Sequence, residues 1–258
     1  ILSGEGTQLR ATTLDAIAAT ARWLDRKVGK ASDGLSAVMG WTALVAAGLL
    51  LPEGKPRRLY AEAGLAGALG ELVAEDGGTL SRSPLAQVDA IAALVDLRAC
   101  YAAVKRDPPP FVGTMLELLV PPLLSLLHGD GGLGNWQGAG AVRAERIAAL
   151  VEASGVRTRP LKDARQWGYQ RVAARKSVLV LDAAPPPLPR HARAGCASTL
   201  AFEFSADGQR IVVNCGGAGF SALGGVCQAR SLSVGEDNAC ARPPRPRLEG
   251  AAEPSLSL

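Results

Sequence analysis

The stretch STLAFEFSADGQRIVVNCGG, residues 198–217, decides the fold of this chain. Two runs rich in β-branched and aromatic residues, 199–205 and 210–215, flank an Ala-Asp-Gly segment. Asp-Gly is a favoured turn between antiparallel strands, so the stretch predicts a β-hairpin. In the first run two sets of residues alternate: Leu200, Phe202 and Phe204 with Ala201 and Glu203. The alternation predicts that one face of the hairpin is buried and the other is not.

The segment GYQRVAARKSVLVLDAAPPP, residues 168–187, extends the β-structure toward the N-terminus. It predicts two more strands, 169–173 and 177–182, joined by a turn. Because a hairpin cannot bury its apolar face alone, the sandwich begun here needs further strands. After residue 225 the sequence has neither helical nor strand periodicity. We interpret 224–258 as an irregular tail that results from truncation or a shifted reading frame.

The first 155 residues or so predict helices instead. Apolar residues make up 48% of the chain and aromatic residues only 4%, and a composition rich in Ala, Leu and Val favours helix. Apolar spacing of three and four residues, with Pro and Gly at the ends, predicts helices over 9–29, 35–52, 57–74, 84–104 and 143–153. A Leu-rich helix is predicted between RDPPP and Leu127, where Pro121-Pro122 must kink it or end it early.

Residues 35–52 carry no charge and have the length of a short membrane span. Two glycines, a Ser, a Thr and a central Trp interrupt the run, and amphipathic helices lie on both sides of it. We therefore predict a buried helix of a helical domain and no transmembrane segment.

An all-helical half followed by an all-β half indicates two domains. We predict an α+β multidomain chain, in which a partial α/α toroid of helical hairpins precedes the first strands of an antiparallel β-sandwich. The predicted boundaries are 1–156 for the helical part, 157–223 for the start of the sandwich and 224–258 for the tail. Helices of similar length joined by short loops suit stacked hairpins, although no repeat of fixed period is visible.

Composition excludes several classes of function. The 28 basic and 24 acidic residues give a net charge of +4 and are spread along the chain, whereas nucleic-acid binding needs a clustered basic face. Five scattered cysteines, an odd number, argue against a disulfide framework, and with only two histidines a metal centre is not expected. We predict no cofactor, no metal and no nucleic-acid partner.

Six runs, taken in order, resemble the heparinase II/III-like family. They are GLLLPEGKPRRL, EDGGTLSRSP, HGDGGLGNWQG, GYQRV, DAAPPP and LAFEFSADGQRIVVNCGG, and together with their flanks they span roughly residues 12–217. The resemblance implies an incomplete α/α toroid packed on a C-terminal antiparallel β-sandwich. It also implies that about half of the toroid and most of the sandwich lie outside this chain.

Characterised members of that family are polysaccharide lyases that cleave uronic-acid-containing chains by β-elimination. They commonly use an Asn on the toroid, a Tyr soon after the DGG…SP run and a His from the sandwich. At the corresponding places this chain has Gly34, Leu35 and Ser36 for an Asn-Asn-His run, and Leu85, Ala86 and Gln87 for the Tyr-His pair. Of a HAHAD motif before the sandwich strand it keeps the first residue, His191.

The segment HGDGGLGNWQG predicts a site, because loops on rigid scaffolds commonly carry function. Its polar and aromatic side chains are His128, Asp130, Asn135, Trp136 and Gln137. Trp136 would stack on a sugar ring while the polar groups bind hydroxyls and His128 handles protons. In the structural alternative, Asp130 and Asn135 shape the turn and Trp136 closes the end of the toroid.

Three residues outside that loop complete the predicted site. Arg82 is suited to a two-pronged bond to a uronate carboxylate, and its structural alternative is an ion pair with Glu75 or Asp76. His191 would act as acid or base with His128. Tyr169 would supply a phenol to the substrate, or else pack in the seam between domains.

The resulting hypothesis is a polysaccharide lyase-like protein that cleaves uronic-acid-containing polysaccharide by β-elimination, with the fragment itself inactive. The alternative is a non-catalytic pseudoenzyme of the same fold that binds glycan. The predicted partner is an acidic polysaccharide, and the family suggests the periplasm or cell envelope. A purely structural helical scaffold would not need the polar HGDGGLGNWQG loop.

Overall fold

The computed structural model describes residues 7–51, 54–138, 142–161, 163–164, 166–188, 190–192 and 198–214. Six α-helices lie in the first part of the chain: α1 Thr7–Lys27, α2 Gly34–Leu50, α3 Lys55–Leu72, α4 Pro84–Ala103, α5 Pro110–Ser125 and α6 Ala144–Ser154. A short 3₁₀ helix, Val28–Lys30, joins α1 to α2. The predicted tail 224–258 lies outside the described residues.

Local chemistry sets the ends of the helices. The Asp33 carboxylate accepts a hydrogen bond of 2.8 Å from the Ser36 N–H and so caps α2. Ser83 caps α4 in the same way, with Pro84 at its first position, where no N–H is needed. Gly155, at φ +70°, takes the left-handed conformation that ends α6.

Helix α5 continues through Pro121 and Pro122 to Ser125. Of the two effects expected of the prolines, a kink or an early end, the early end is therefore wrong. A proline at position 122 cannot donate to the Leu118 carbonyl. The backbone of Gly77, from a loop before α4, lies against that carbonyl, where an added Cβ would come within 1.9 Å of its oxygen. Tertiary packing of the loop thus covers the backbone that the prolines leave unpaired.

Helix α2 is the centre of the helical core, with α3 and α4 packed on it. Its side chains Val38, Leu44 and Val45 are fully buried. Gly64 on α3 allows close approach, because an added Cβ would lie 2.5 Å from the Trp41 indole. Among the described helices, none is long and apolar enough to cross a membrane.

Five strands form one antiparallel sheet in sequential order: β1 Asp163–Ala164, β2 Tyr169–Ala174, β3 Ser177–Asp182, β4 Phe202–Ala206 and β5 Gln209–Val212. The structure contains both predicted strand pairs and the turn at Asp207-Gly208, both at positive φ. Strand β1 was not predicted, because two residues show no periodicity. Strand β4 begins later than expected, because Leu200 has φ +70° and interrupts the extended backbone.

The sheet buries the less apolar side of β4. Glu203 and Ser205 are fully buried, whereas Phe202 on the opposite face is 46% exposed. The β3–β4 register places Val178 and Val180 beside the two buried residues. One face is therefore buried, as the alternation predicts, but it is the polar face, because it meets the polar loops at the ends of the helices.

Two of those loops have the same backbone hydrogen bonding around an Asp-Gly-Gly sequence. In the first, the Ala74 N–H donates to the Gly78 carbonyl at 2.8 Å, and the Gly78 N–H donates to Asp76 at 3.2 Å. In the second, His128 and Gly132 form the equivalent backbone bond at 3.1 Å, and Gly132 donates to Asp130 at 2.9 Å. The middle glycine has positive φ in both, +84° and +75°.

The same short turn thus occurs twice, once after α3 and once after α5. Both turns contact the β-structure. The second carboxylate oxygen of Asp76 accepts the backbone N–H groups of Gln166 and Trp167 at 2.9 and 2.8 Å. That of Asp130 binds the side chain of Arg210 on β5 at 2.9 Å. The sheet is therefore attached to the helical part at two similar turns.

Candidate functional site

Polar side chains collect in two groups where the helix loops meet the buried face of the sheet. The first, the histidine cluster, consists of His128, Asp130, Glu203, Ser205 and Arg210. The second, the arginine cluster, consists of Arg82, Gln137, Asp182 and Ser198. Each joins a loop after a helix to the sheet or its connections, and together they contain four of the predicted site residues.

His128 is held on both ring nitrogens. Its Nδ1 lies 3.0 Å from Ser205 Oγ, in hydrogen-bond contact. Its Nε2 lies 3.0 Å from Oε2 of Glu203, within ion-pair distance but outside hydrogen-bond geometry. The side chains of His128 and Glu203 are both 0% exposed. The imidazole therefore contacts the sheet, not solvent.

Glu203 is the centre of the histidine cluster. Its Oε1 accepts the backbone N–H groups of Asn135 and Asn214 at 2.9 and 3.1 Å. Its Oε2 accepts a hydrogen bond of 3.2 Å from Nη1 of Arg210. A buried carboxylate is tolerated when it is paired and hydrogen-bonded in this way. Glu203 thus ties the loop that carries Asn135 to strand β5 and the residues after it.

Asp130 and Arg210 form a two-pronged ion pair. Arg210 Nε donates to Oδ2 at 2.9 Å, and its Nη2 donates to Oδ1 at 3.1 Å. Partial burial acts to raise the pKa of Asp130, but the hydrogen bonds from Arg210 and Gly132 outweigh it, and the pKa is lowered. The carboxylate therefore stays ionised and attached to the sheet over the ordinary range of pH.

Arg82 is buried, with φ +56°, and its guanidinium binds groups of this chain. It donates to the Trp167 carbonyl at 2.8 Å and to the Pro185 carbonyl at 2.5 Å. It forms an ion pair with Asp182, which is 0% exposed, and not with Glu75 or Asp76. The guanidinium is therefore directed at the β-structure.

Gln137 and Ser198 complete the arginine cluster around Asp182. Gln137 Nε2 lies 3.3 Å from Oδ2 of Asp182 and 3.0 Å from Oγ of Ser198. The Ser198 hydroxyl donates to the same carboxylate at 2.6 Å. Gln137, predicted to bind substrate, is buried and has φ +48°. The two predicted residues Arg82 and Gln137 thus meet at one carboxylate that the sequence analysis did not single out.

Aromatic rings fill the space beside the arginine cluster. Trp136 is 0% exposed, and its ring centroid lies 5.5 Å from that of Tyr169. Trp167 lies edge-on to Tyr169 at 5.2 Å. The Tyr169 hydroxyl donates to the Arg82 carbonyl at 2.8 Å. The predicted stacking of Trp136 on a sugar ring does not fit this position, because both rings belong to the seam between helices and sheet.

Asn135 joins the histidine cluster through its backbone. Besides its bond to Glu203, its side-chain Nδ2 donates to the Asn214 carbonyl at 3.4 Å. Its Oδ1 is buried and has no hydrogen-bond partner among the described residues. The loop residues Asp130, Asn135, Trp136 and Gln137 therefore all face the sheet or its connections.

His191 lies apart from these clusters and is half-buried. Its Nε2 accepts a hydrogen bond of 3.0 Å from Nε of Arg190. Partial burial and the neighbouring guanidinium of Arg190 both lower the pKa of His191. Within the described part of the chain, no hydrogen bond or ion pair joins it to His128 or Arg82.

The position near the family's Tyr-His pair has a structural role here. Gln87 is fully buried, and its Oε1 accepts the Thr79 N–H at 2.8 Å. Its Nε2 donates to the carbonyls of Gly77 and Leu119, each at 2.8 Å. The side-chain amide therefore fixes the first Asp-Gly-Gly turn between α4 and α5, with both of its ends occupied.

The arrangement Ser205–His128–Glu203 contains the residue types of a hydrolytic triad. A nucleophilic serine must reach substrate and lie near oxyanion donors. Ser205 is 0% exposed, and its Oγ already accepts the Gly129 N–H at 3.3 Å. The geometry therefore supports a structural tie and not acyl transfer. The described residues contain no cluster of three or more His, Cys, Asp or Glu residues that could hold a metal ion.

Sequence reasoning located the loops but missed their partners on the sheet. Asp182, Glu203, Ser205 and Arg210 were not among the predicted site residues. The available signal was Glu203, a charged residue between two phenylalanines in a predicted strand. A carboxylate at such a position predicts either an exposed face or a buried partner, and here the partner is a histidine from a distant loop.

Comparison with known proteins gives a family match over part of the chain and a relative of similar sequence. The family described as "Heparinase II/III-like, C-terminal" matches residues 156–236. FtsZ-localized protein C of Caulobacter vibrioides is 29% identical over 177 residues, which are 67% of this chain and 31% of that protein. The chain thus spans about a third of the length of this relative.

Solved structures share the fold. The heparan sulfate lyase HepC from Pedobacter heparinus superposes with a TM-score of 0.58 at 18% identity, over 80% of this chain and 36% of that one. Heparinase III gives a TM-score of 0.63 at 14% identity, over 81% and 38%. The chain accordingly has the fold of a partial α/α toroid followed by the first strands of an antiparallel β-sandwich. Residues 156–236 thus match the C-terminal part of the heparinase II/III-like family, and the chain shares its fold with solved heparinases.

Proposed function

We propose that this chain belongs to a lyase-fold protein that binds acidic polysaccharide without cleaving it. One observation carries the proposal: Arg82 and His128, predicted to bind the carboxylate and to transfer protons, are bonded within the chain at the boundary between helices and sheet. They are not arranged around an open cleft in the described residues.

Binding of a uronate carboxylate by Arg82 meets one obstacle. A uronate must be neutralised during β-elimination by a donor or cation directed at its carboxylate. Arg82 is the predicted group, but its guanidinium already binds Asp182 and the carbonyls of Trp167 and Pro185. Releasing it would leave Asp182 buried and unpaired, which is strongly unfavourable.

Proton transfer meets a similar obstacle. A general base must come within about 2.6–3.2 Å of the proton that it removes. The side chain of His128 is 0% exposed and lies between Ser205 and Glu203. Gln87, in the region where the resemblance places a Tyr-His pair, is buried and bonded to three backbone groups. An amide has no basic or acidic group to offer at neutral pH.

The ligand class rests on the relatives. Solved structures of the same fold include a heparan sulfate lyase and a heparinase, whose names specify acidic polysaccharides. Acidic polysaccharide is therefore the class of ligand that we propose.

Cleavage by β-elimination is the competing function. In it, Arg82 would hold the uronate carboxylate, and His128 or His191 would transfer protons, while the remaining loop residues and Tyr169 would contact the sugar. That mechanism requires the two clusters to open, so that groups now bonded to the sheet reach substrate.

The two functions separate in one pair of measurements. We expect the full-length protein that contains this chain to be retained on immobilised heparan sulfate and not on neutral dextran, and to release no unsaturated uronate, which is followed by ultraviolet absorbance. Formation of unsaturated product, lost in a His128→Ala/His191→Ala double variant, would establish the lyase instead. Failure to bind any acidic polysaccharide at low salt would rule out the glycan-binding proposal.

A second candidate function follows from the curated relative. FtsZ-localized protein C shares 29% identity with 67% of this chain, and its name specifies localisation with FtsZ. We propose that the present protein also associates with FtsZ assemblies. The chain should then sediment with polymers of its host's FtsZ and remain in solution without them. Equal sedimentation with and without polymer would contradict this.

A further inference from the structure

An open pocket of about 630 Å³ lies on the helical part. It is bounded by the last turns of α4, the connection from α4 to α5, and the end of α6. Helix α4 begins at the loop that contacts the sheet, and its 20 residues span about 30 Å. The pocket is therefore at the far end of α4 from both clusters described above.

Three cationic side chains line this pocket: Arg98, Lys105 and Arg106. The lining contains one carboxylate, Asp107. Among residues outside the lining, Asp96 on α4 and Glu152 on α6 are exposed, as are Arg157 and Arg159 after α6. Positive charge thus predominates around a single concave surface.

The backbone holds these cations in place. Lys105 has φ +54°, and its N–H donates to the Ala102 carbonyl at 3.0 Å. The Arg106 N–H donates to the Tyr101 carbonyl at 3.0 Å. Arg98 Nη1 donates to the Ser154 carbonyl at 2.6 Å and joins α4 to the end of α6. The backbone of Lys105 and Arg106, at the edge of the pocket, is therefore fixed by hydrogen bonds to the last turn of α4.

Most donors of the three cations remain available. Within the described ranges, the side chains of Lys105 and Arg106 make no hydrogen bond or ion pair, and Arg98 makes only its bond to Ser154. Like charges in one concave surface raise the local potential and attract an anion. Guanidinium and ammonium groups together suit an oxyanion, which accepts several charge-assisted hydrogen bonds.

The floor of the pocket is apolar. Val95, Ala99 and Ala102 come from one face of α4, and Ala153 comes from α6. A volume of this size matches the usual range of small-ligand sites, which combine an apolar surface with a few polar groups. The occupant thus needs a carbon face as well as a negative charge.

We propose that this pocket binds an oxyanion, a carboxylate, sulfate or phosphate group, carried on a small ring that lies on the apolar floor. The site is separate from the boundary between helices and sheet, and it does not depend on the function proposed there. A sugar acid, a sulfated sugar and a phosphate ester share this chemistry.

The test uses the whole chain and three simple probes: sodium glucuronate, sodium sulfate and sodium phosphate at constant ionic strength. We expect saturable NMR shifts of Lys105 and Arg106 with at least one probe, and the probe that binds most tightly identifies the source of the anion. A Lys105→Gln/Arg106→Gln variant should bind that probe about tenfold more weakly or worse, because it loses two charge-assisted contacts.

The matched control is Arg22→Gln/Arg26→Gln, which removes the same charge from exposed positions of α1. It should leave the affinity unchanged. Absence of saturable shifts with all three anions would overturn the proposal. Equal weakening in the two double variants would overturn it as well, since it would show a general effect of net charge.

Discussion

Replacing Arg82 with methionine should lower the free energy of unfolding by about 3–5 kcal/mol, the usual range for removing one partner of a buried ion pair. Asp182 is 0% exposed. It would keep Gln137 and Ser198 but lose the only cation that contacts it among the described residues. The carbonyls of Trp167 and Pro185 would lose their donor as well. Urea unfolding followed by tryptophan fluorescence measures the change.

Two further variants make this result specific. Arg146→Met removes an arginine whose ion pair with Asp89 is exposed, with 61% of the arginine side chain accessible, and it should cost less than about 1 kcal/mol. In Arg82→Met/Asp182→Leu neither charge remains, and we expect it to recover a large part of the lost stability. An Arg82→Met variant as stable as Arg146→Met would disprove the structural role of Arg82.

Substitution of Glu203 should have a comparable effect. Glu203→Ala leaves the buried N–H groups of Asn135 and Asn214 without an acceptor. It also leaves His128 without its carboxylate and Arg210 with the carboxylate of Asp130 alone. We expect a loss of about 3–5 kcal/mol, because buried donors and charges lose their partners together. Thermal and urea unfolding of the purified variants measure it.

Glu203→Gln is the matched control for this position. It keeps an oxygen for the two backbone N–H groups but removes the charge that Arg210 binds. Its loss of stability should therefore lie between those of wild type and Glu203→Ala. Equal losses for Gln and Ala would mean that the two backbone hydrogen bonds contribute nothing, contrary to the geometry.

Apolar spacing and chain breakers were sufficient to predict the helices and most of the strands. They failed where tertiary contacts override local preference. Helix α5 passes through Pro121 and Pro122 because the Gly77 turn packs on the exposed carbonyl. Strand β4 presents Glu203, not Phe202, to the helices. Hydrophobicity alone does not specify which face of a sheet meets a polar partner.

The loop residues of the candidate site could be predicted from the sequence, but their partners on the sheet could not. The sequence HGDGGLGNWQG identified the loop, because several polar side chains lie close together in it. Its partners lie far along the chain, as with Ser205 for His128 and Asp182 for Gln137. No spacing rule connects such pairs. The burial of Trp136 could not be predicted either, because its sequence context is the same whether it stacks on a sugar or packs on Tyr169.

The two Asp-Gly-Gly turns have a mechanical consequence. A body fastened at one point can pivot in every direction, whereas one fastened at two points can rock only about the line that joins them. Asp76 holds the backbone at Trp167, and Asp130 holds Arg210 on the last described strand. The described sheet is thus attached to the helical part near both of its edges. Opening and closing of the sheet as a lid is therefore disfavoured, and we expect the sheet and the helices to move together as one rigid unit.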